Sequence, residues 1–237
     1  MTKEINLVIS EKISIFEQLK LEEALIRASD QNWCLITRGS NEAIVMGISS
    51  QVADDIDEAR LQQRPIPIIR RFSGGGTVVV DKNCLFVSFI FNKEEFPFAA
   101  NPKEALFWSH QFYKSVFAPI ELLLHSQDYV IGDRKIGGNG QYFTKNRALH
   151  HTSFLWDFSP DLMNLLRIPK MAPPYRQGRP HEEFVTKLAL HFPTLKDFTE
   201  KLEKNIQSQF CCIPVSLEEA SLHLTLPHRK ACVSISA

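Results

Sequence analysis

The sequence predicts an α+β fold, a mainly antiparallel or mixed β-sheet flanked by α-helices. Three observations carry this. Strand-like runs cluster in the middle of the chain, and helical patterns precede and follow them. The strands do not alternate regularly with crossover helices, which sets aside a doubly wound nucleotide fold. No linker, internal repeat or low-complexity tract divides the 237 residues. That length supports one sizeable core, so a single domain over residues 1–237 is expected.

A helix is expected first at 14–29, "SIFEQLKLEEALIRAS". Ile15, Leu19, Leu25 and Ile26 recur at helical spacing, Ser14 stands as N-cap, and Glu17 completes a capping box. Strands follow at 33–38 and 43–48. Residues 52–63 have helical composition and stop before Pro65 and Pro67. A strand over 66–71 leads into three glycines. "TVVV" (77–80) and "CLFVSFIF" (84–91) are two more strands, the second too apolar throughout for an exposed edge. Pro102 suits the first turn of a helix over 102–117. Short strands are expected near 121–124, 128–131, 134–143 and 148–157, then a short helix over 160–167 and a proline-rich loop over 168–180. Helices fill 181–191 and 195–209. No element is predicted for the tail, where Pro, Ser and short apolar runs alternate.

Lys plus Arg equals Asp plus Glu, 27 each, which argues against a protein built to coat nucleic acid or an anionic membrane. "MTKEINLVIS" has no basic segment followed by an apolar stretch, so no secretory signal is expected. The longest apolar runs are too short for a bilayer. Five cysteines, an odd number without a C-x-x-C pair, suggest neither a disulfide framework nor a zinc site. A reducing cytoplasm or organelle matrix fits.

Three stretches carry chemistry. In "RRFSGGGTVVVD" (70–81), Arg70 and Arg71 precede Ser73 and the glycines 74, 75 and 76. Consecutive glycines let the backbone approach a ligand and turn its amides on an anion, and arginine pairs with carboxylate or phosphate. A glycine-rich turn with two solvated arginines fits the same residues equally well. The spacing matches neither a P-loop nor a dinucleotide fingerprint. In "GDRKIGGNGQ" (132–141), Lys135 on a strand precedes Gly137, Gly138, Asn139 and Gln141. Its ammonium either enters a pocket walled by bare backbone or sits on an edge strand. In "RALHHTSFLWD" (147–157), His150 and His151 face opposite sides of a strand, so one lines a pocket or both are core histidines. No spacing suggests a protein-built metal site.

In this order and spacing, "RRFSGGGTVVVD", "GDRKIGGNGQ" and "HHTSFLWD" resemble the catalytic domain of lipoate–protein ligases, within the superfamily of biotin–protein ligases, lipoate ligases and octanoyltransferases. "FEQLKLEEALIRAS" is similar to the family's first helix. The resemblance covers roughly residues 5 to 190. It implies a biotin/lipoate-ligase-like fold and ATP-dependent activation of lipoate or octanoate to an acyl-adenylate. It further implies transfer to one lysine on lipoyl carrier domains of 2-oxoacid dehydrogenase E2 subunits and the glycine-cleavage H protein, with Mg²⁺ bridging ATP oxygens rather than held by a protein cluster. By that analogy Arg71, Ser73, Gly74, Gly75 and Gly76, with Arg70 as a second arginine, surround the acyl-adenylate. Lys135 is the catalytic residue at the junction of acyl carbonyl and α-phosphate. Gly137, Gly138 and Asn139 border the nucleotide, His151 and Thr152 the substrate, and Asp128 and Gln141 lie near the nucleotide. Gln127 stands where the family more often has asparagine. Burying about seven methylene groups of an acyl chain contributes roughly 5 kcal/mol at most, and "LFVSFIF", "TVVV" and "HTSFLW" suit the channel wall.

The alternative is an octanoyl or lipoyl transferase working without ATP, from an acyl carrier protein, a lipoylated carrier or preformed lipoyl-AMP. In the octanoyltransferase branch a cysteine carries the acyl group. No cysteine occurs from 85 to 210, and Cys84 reads as a buried strand residue. Val80 precedes Asp81 where relatives often have histidine. A third reading is a non-catalytic acyl- or carrier-binding homologue. No C-terminal accessory domain is expected after the helices at 181–209, which makes a separate accessory polypeptide one route to activation. Arg176, Arg179 and His181 are expected at the pocket rim, where they either meet an acidic carrier or are solvated.

Overall fold

The computed structural model of the chain describes residues 3–11 and 13–235. Along the chain, β1 (Glu4–Ser10) leads into α1 (Ile15–Ala28), then β2 (Trp33–Arg38), β3 (Ala43–Met46), α2 (Val52–Asp55), α3 (Glu58–Gln63), β4 (Ile68–Arg70), β5 (Val78–Val80) and β6 (Cys84–Asn92). After α4 (Pro102–Phe117) come β7 (Leu123–His125), β8 (Asp128–Ile131), β9 (Arg134–Phe143) and β10 (Arg147–Leu155). The remainder holds α5 (Pro160–Met163), α6 (His181–Phe184), α7 (Leu195–Gln209), β11 (Cys211–Pro214), α8 (Leu217–Ser221) and β12 (Val233–Ile235).

The fold is α+β, with mixed sheets flanked by helices. Eight strands form one sheet in the order β11-β1-β2-β6-β10-β9-β8-β7, and four form a second in the order β12-β4-β3-β5. β1 runs parallel to both β2 and β11, and β3 runs parallel to β4. The β2-β6-β10-β9-β8-β7 run is antiparallel throughout. β6 lies inside the large sheet, as its apolar sequence requires, and is buried from Cys84 to Phe91. α1 carries the capping box: Ser14 Oγ accepts from the Glu17 amide, and the Glu17 carboxylate accepts from the Ser14 amide.

Strand alternation divides the core. Leu85, Val87, Phe89 and Phe91 of β6, with Ala148 and Phe154 of β10, pack against α4 and α7. Phe86 and Ile90 of β6, with Leu149 of β10, pack on the other face against Leu19, Leu25 and Ile26 of α1 and against Val45 and Val80 of the small sheet. The large sheet is therefore a partition buried on both sides.

Three predicted helices are shorter than their composition suggests. The 52–63 run breaks at Ile56, which is fully buried in a single β-bridge with Leu166. Asp57 then caps a new helix, accepting from the Arg60 amide at 3.1 Å. The 160–167 run stops at Met163, because Leu166 is held by that bridge and the Arg167 amide reaches the Asp55 carbonyl. The 181–191 run is interrupted where Val185 bridges Lys135 and the Thr186 amide donates to the Lys135 carbonyl at 2.8 Å. In each case a tertiary backbone hydrogen bond replaces the next helical one. The tail, for which no element was predicted, adds β11 and β12 as edge strands to the two sheets.

Phe154 is fully buried, with its ring 5.0 Å from Tyr113, 5.9 Å from Phe117 and 5.6 Å from Phe198. Phe154→Ala is expected to lower unfolding free energy by about 3–5 kcal/mol; urea denaturation measures it, and a loss below ~1 kcal/mol would contradict the packing described.

Candidate active site

A cavity of about 460 Å³ opens between the large sheet, the small sheet and the 167–185 segment. One part of its wall is apolar, from Ile15 and Leu19 on α1, Val80, Phe86 and Leu155. Another part is polar, from Gln127, Asp128, Lys135, Asn139, Arg176 and His181. Strand alternation delivers these groups. Gly138 and Gly140 of β9 pair with Ser153 and His151 of β10, and all four line the cavity.

Lys135 Nζ lies 2.7 Å from Asp128 Oδ1. The other carboxylate oxygen of Asp128 accepts from the Tyr175 hydroxyl at 2.8 Å. Tyr175 is half-buried; burial and the Asp128 carboxylate raise its phenol above the ordinary range. The lysine lies close over bare backbone: a Cβ on Gly138 would stand 3.3 Å from Lys135 Nζ. Asn139 is fixed on both ends, donating to the Gln127 carbonyl at 2.8 Å and accepting from Thr152 Oγ1 at 2.9 Å.

The glycine loop is held by Arg71. This guanidinium is 6% exposed and donates to the carbonyls of Val45, Gly74 and Gly76. Burial lowers its pKa to about 10 despite the opposing pull of Glu22. Gly75 adopts φ +109°, and a Cβ there would fall 2.6 Å from Arg71 Nη2 and 2.8 Å from the Asn139 carbonyl. No other residue type fits that approach. The Gly74 amide donates to the Gln141 carbonyl at 3.0 Å, seating the loop on β9.

Of the residues singled out in the sequence, Arg71, Gly75, Gly76, Asp128, Lys135, Gly137, Gly138, Asn139 and His151 line this cavity. Arg70, Ser73, Gly74, Gln141 and Thr152 do not. Arg70 instead donates to the carbonyls of Gly47, Ile48 and Ser50, holding that turn. Ser73 is buried, and its hydroxyl has no hydrogen-bond partner among the described residues. Gln141 bridges the Pro102 carbonyl and His150 Nδ1. Of the expected rim residues, Arg176 is buried with its guanidinium over the Phe184 ring. Arg179 pairs with Asp133 at 2.8 Å. His181 lines the cavity and bonds to the Arg167 carbonyl. Cys84 is buried and also lines the cavity; burial pushes its thiol up to about 12.

Two groups behind His151 on the cavity wall were not foreseen. Glu22 is fully buried on α1, and its Oε1 receives His151 Nδ1 at 2.9 Å, Ser88 Oγ at 2.6 Å and Gln18 Nε2 at 2.8 Å. Burial alone would raise this carboxyl, but His151 and the hydrogen bonds outweigh it and hold it below the usual range. Ser88 interrupts the apolar β6 run to face it.

A family model described as the lipoyl protein ligase A/B catalytic domain matches residues 14–207. The chain belongs to this family. It is 30% identical to a Plasmodium falciparum protein named inactive lipoate–protein ligase 2, over 83% of this chain and 67% of that protein. It is 27% identical to the Bacillus subtilis lipoate–protein ligase LplJ, over 64% of this chain but 46% of the relative. This lipoate ligase-like chain thus spans 67% of the first of these relatives and less than half of the second. Its fold is that of a crystal structure of lipoate–protein ligase A bound with ATP, at TM-score 0.74 and 16% identity, covering 94% and 93% of the two chains. It is also that of an archaeal bipartite lipoate ligase from Thermoplasma acidophilum, described with its E2 lipoyl domain, at TM-score 0.70 and 16% identity, covering 94% and 91%.

His150, on the far side of β10, is buried against Tyr129 and Gln141. Burial, with a smaller push from His151, lowers its pKa to about 3. The unfolded chain binds this proton near the ordinary ~6.5 and the folded chain refuses it until far lower, so stability falls as pH drops below about 6.5. The expected contribution is up to ~1.4 kcal/mol per pH unit. Urea melts between pH 7 and pH 5 should show a shallower decline for His150→Gln than for the unsubstituted protein, and an equal slope would remove His150 as a source.

Proposed function

We propose that the chain is a lipoate–protein ligase: it activates lipoate or octanoate with ATP to the acyl-adenylate, releases pyrophosphate, and passes the acyl group to the ε-amine of a lysine on a lipoyl carrier domain. The observation that carries this reading is one cavity joining two environments. An apolar channel walled by Leu19, Val80, Phe86 and Leu155 adjoins a lysine–aspartate pair beside bare glycine backbone. A medium acyl chain suits the first, and the junction of carboxylate and phosphate suits the second.

A carboxylate is a poor electrophile, and adenylation supplies a leaving group whose charge must be met by preorganised donors. Lys135 is the mobile cation for that task. Its side chain is about a quarter exposed and its ammonium is held by a single carboxylate, so it can turn to a phosphate oxygen while the Tyr175 hydroxyl still donates to Asp128. Arg71 supports the same task indirectly, by spending its donors on the glycine loop and fixing the loop's amides. Among the described residues no three His, Cys, Asp or Glu side chains gather into a metal site. Mg²⁺ would travel with ATP, with Asp128 the carboxylate at that wall, and would neutralise phosphate charge. Lipoyl domains of E2 subunits and H protein as acceptors, an accessory polypeptide, and a cytoplasmic setting belong to this proposal; the described pairing of the archaeal bipartite ligase with an E2 lipoyl domain supports the first two. No helix among the described residues is long and apolar enough to cross a membrane.

A second reading is favoured by the relative named inactive: this chain does not activate the acid itself, and either transfers from preformed lipoyl-AMP or only binds the acyl group or the carrier. Transfer through an enzyme thioester is opposed by Cys84, the cysteine on the cavity wall, whose thiol near 12 yields almost no thiolate at neutral pH.

Pyrophosphate release with lipoate, ATP and Mg²⁺, with and without an apo carrier domain, tests the reading. Lipoate-dependent release that falls about 100-fold or more in Lys135→Ala is the expected result. Transfer from supplied lipoyl-AMP without release would move activation elsewhere. Octanoyl transfer from acyl carrier protein, with neither of the others, would replace the ligase by a transferase.

A further inference from the structure

A second cavity, of about 520 Å³, opens at the end of the molecule where β10 begins, and it shares no residue with the first. Its walls come from the end of α1, the turn between β9 and β10, and the segment ahead of β12. Arg27, Lys145, Arg147, His228 and Arg229 line it, and Asp30 is its one acidic side chain among the described residues. Two of these arginines are fixed. Arg27 donates from Nε to Glu23 at 3.0 Å, and its guanidinium lies over the rings of Tyr142 at 5.0 Å and Phe72 at 5.9 Å. Arg147 is 7% exposed. Its Nη2 donates to the Gln31 carbonyl, but Nε and Nη1 meet no acceptor among the described residues. Asp30 and Glu95 attract this guanidinium across space, and neither pairs with it.

A structural arginine is ordinarily spent on acceptors of its own chain, as Arg71 is. A buried guanidinium with two bare nitrogens costs free energy, and further cations beside it add repulsion. Among the described residues Lys145, Arg147 and Arg229 form no ion pair. Glu23 balances Arg27, so these three cations against Asp30 leave two positive charges at the cleft. Exposed side chains can spread apart in water, but Arg27 and Arg147 cannot. We propose that this cleft binds a phosphate dianion, free or as a small monoester. Its charge matches that of the cleft, and its oxygens reach several donors at once. Arg27 presents two terminal nitrogens that no hydrogen bond engages among the described residues, a fixed fork suited to phosphate. Arg147 supplies positive charge from the floor, where the surroundings screen it least. Lys145 and Arg229, both exposed, swing onto the ligand from above. The proposal stands independently of the acyl-site reading of the first cavity.

The test is titration of the full chain with inorganic phosphate at constant ionic strength, followed through the backbone amide resonances. Constant ionic strength removes general screening as a cause of change. Saturable movement at residues 27–30, 144–147 and 228–229 is expected. Lys145→Gln with Arg229→Gln alters only exposed side chains and should weaken binding about tenfold or more. Arg147→Gln should weaken it to a similar degree; if that variant does not fold, the double variant decides. Non-saturating shifts, or a double variant that binds as the unsubstituted protein does, overturn the proposal. Saturable movement confined to residues 74–76 and 135–140 also overturns it, by placing the phosphate in the first cavity. Vesicles containing phosphatidic acid separate the sources of the phosphate group. Pelleting with them that the double variant loses, without saturable binding of inorganic phosphate, assigns the cleft to a lipid surface and overturns the small-ligand reading.

Discussion

The two-residue period of β10 is the constraint on which the rest depends. Because this strand is buried on both faces, every side chain must satisfy one of two different environments. His150, Thr152 and Phe154 serve the side covered by α4 and α7, while His151, Ser153 and Leu155 serve the cavity. A slip of one residue against β9 would put Phe154 where the cavity is and His151 into an aromatic core. The pairing of His151 with Gly140 and of Ser153 with Gly138 is what places bare backbone opposite the polar side chains. The cavity exists because one strand of that pair has side chains and the other, at the same level, has none.

Arg71 and Lys135 are both basic groups at the cavity, yet they differ in commitment. Arg71 is enclosed, and its donors are spent on three carbonyls of the chain. Lys135 is accessible and shares one carboxylate with Tyr175. A guanidinium with a fixed fork suits the first arrangement, and a flexible ammonium suits the second. The ion pair with Asp128 also ties the lysine to the loop bearing Tyr175, so the two walls of the polar region are held by one carboxylate.

Much of this was legible in the sequence, and what was missed has physical reasons. Long elements with strong periodicity, α1, β6, α4 and α7, stand where the pattern put them. The helices at 52–63, 160–167 and 181–191 fail because distant backbone groups, at Leu166, Asp55 and Lys135, take the hydrogen bonds that local composition assigned to a helix. The glycine and lysine motifs announce themselves by composition, and the cavity gathers most of them. Arg70 and Arg71 look alike in sequence, but strand alternation sends one to the turn at 47–50 and the other into the loop. Glu22 did leave a trace. It lies three residues after Leu19 and four before Ile26, in the middle of the apolar stripe of α1, where a carboxylate needs a partner. Ser88 interrupts an apolar strand in the same manner.

The last described strand has a consequence for how the molecule comes into being. The amides of Ala231 and Cys232 donate at 2.9 Å to the buried carboxylate of Glu23 on the first helix, and β12 then pairs with β4, directly before the glycine loop. These contacts span more than two hundred positions of the chain. On the ribosome, the strands of the large sheet emerge before that edge strand does. The small sheet beside the glycine loop thus gains its edge strand after the large sheet is made, and a chain stalled before residue 231 would carry the partition and the helices but an open-edged small sheet.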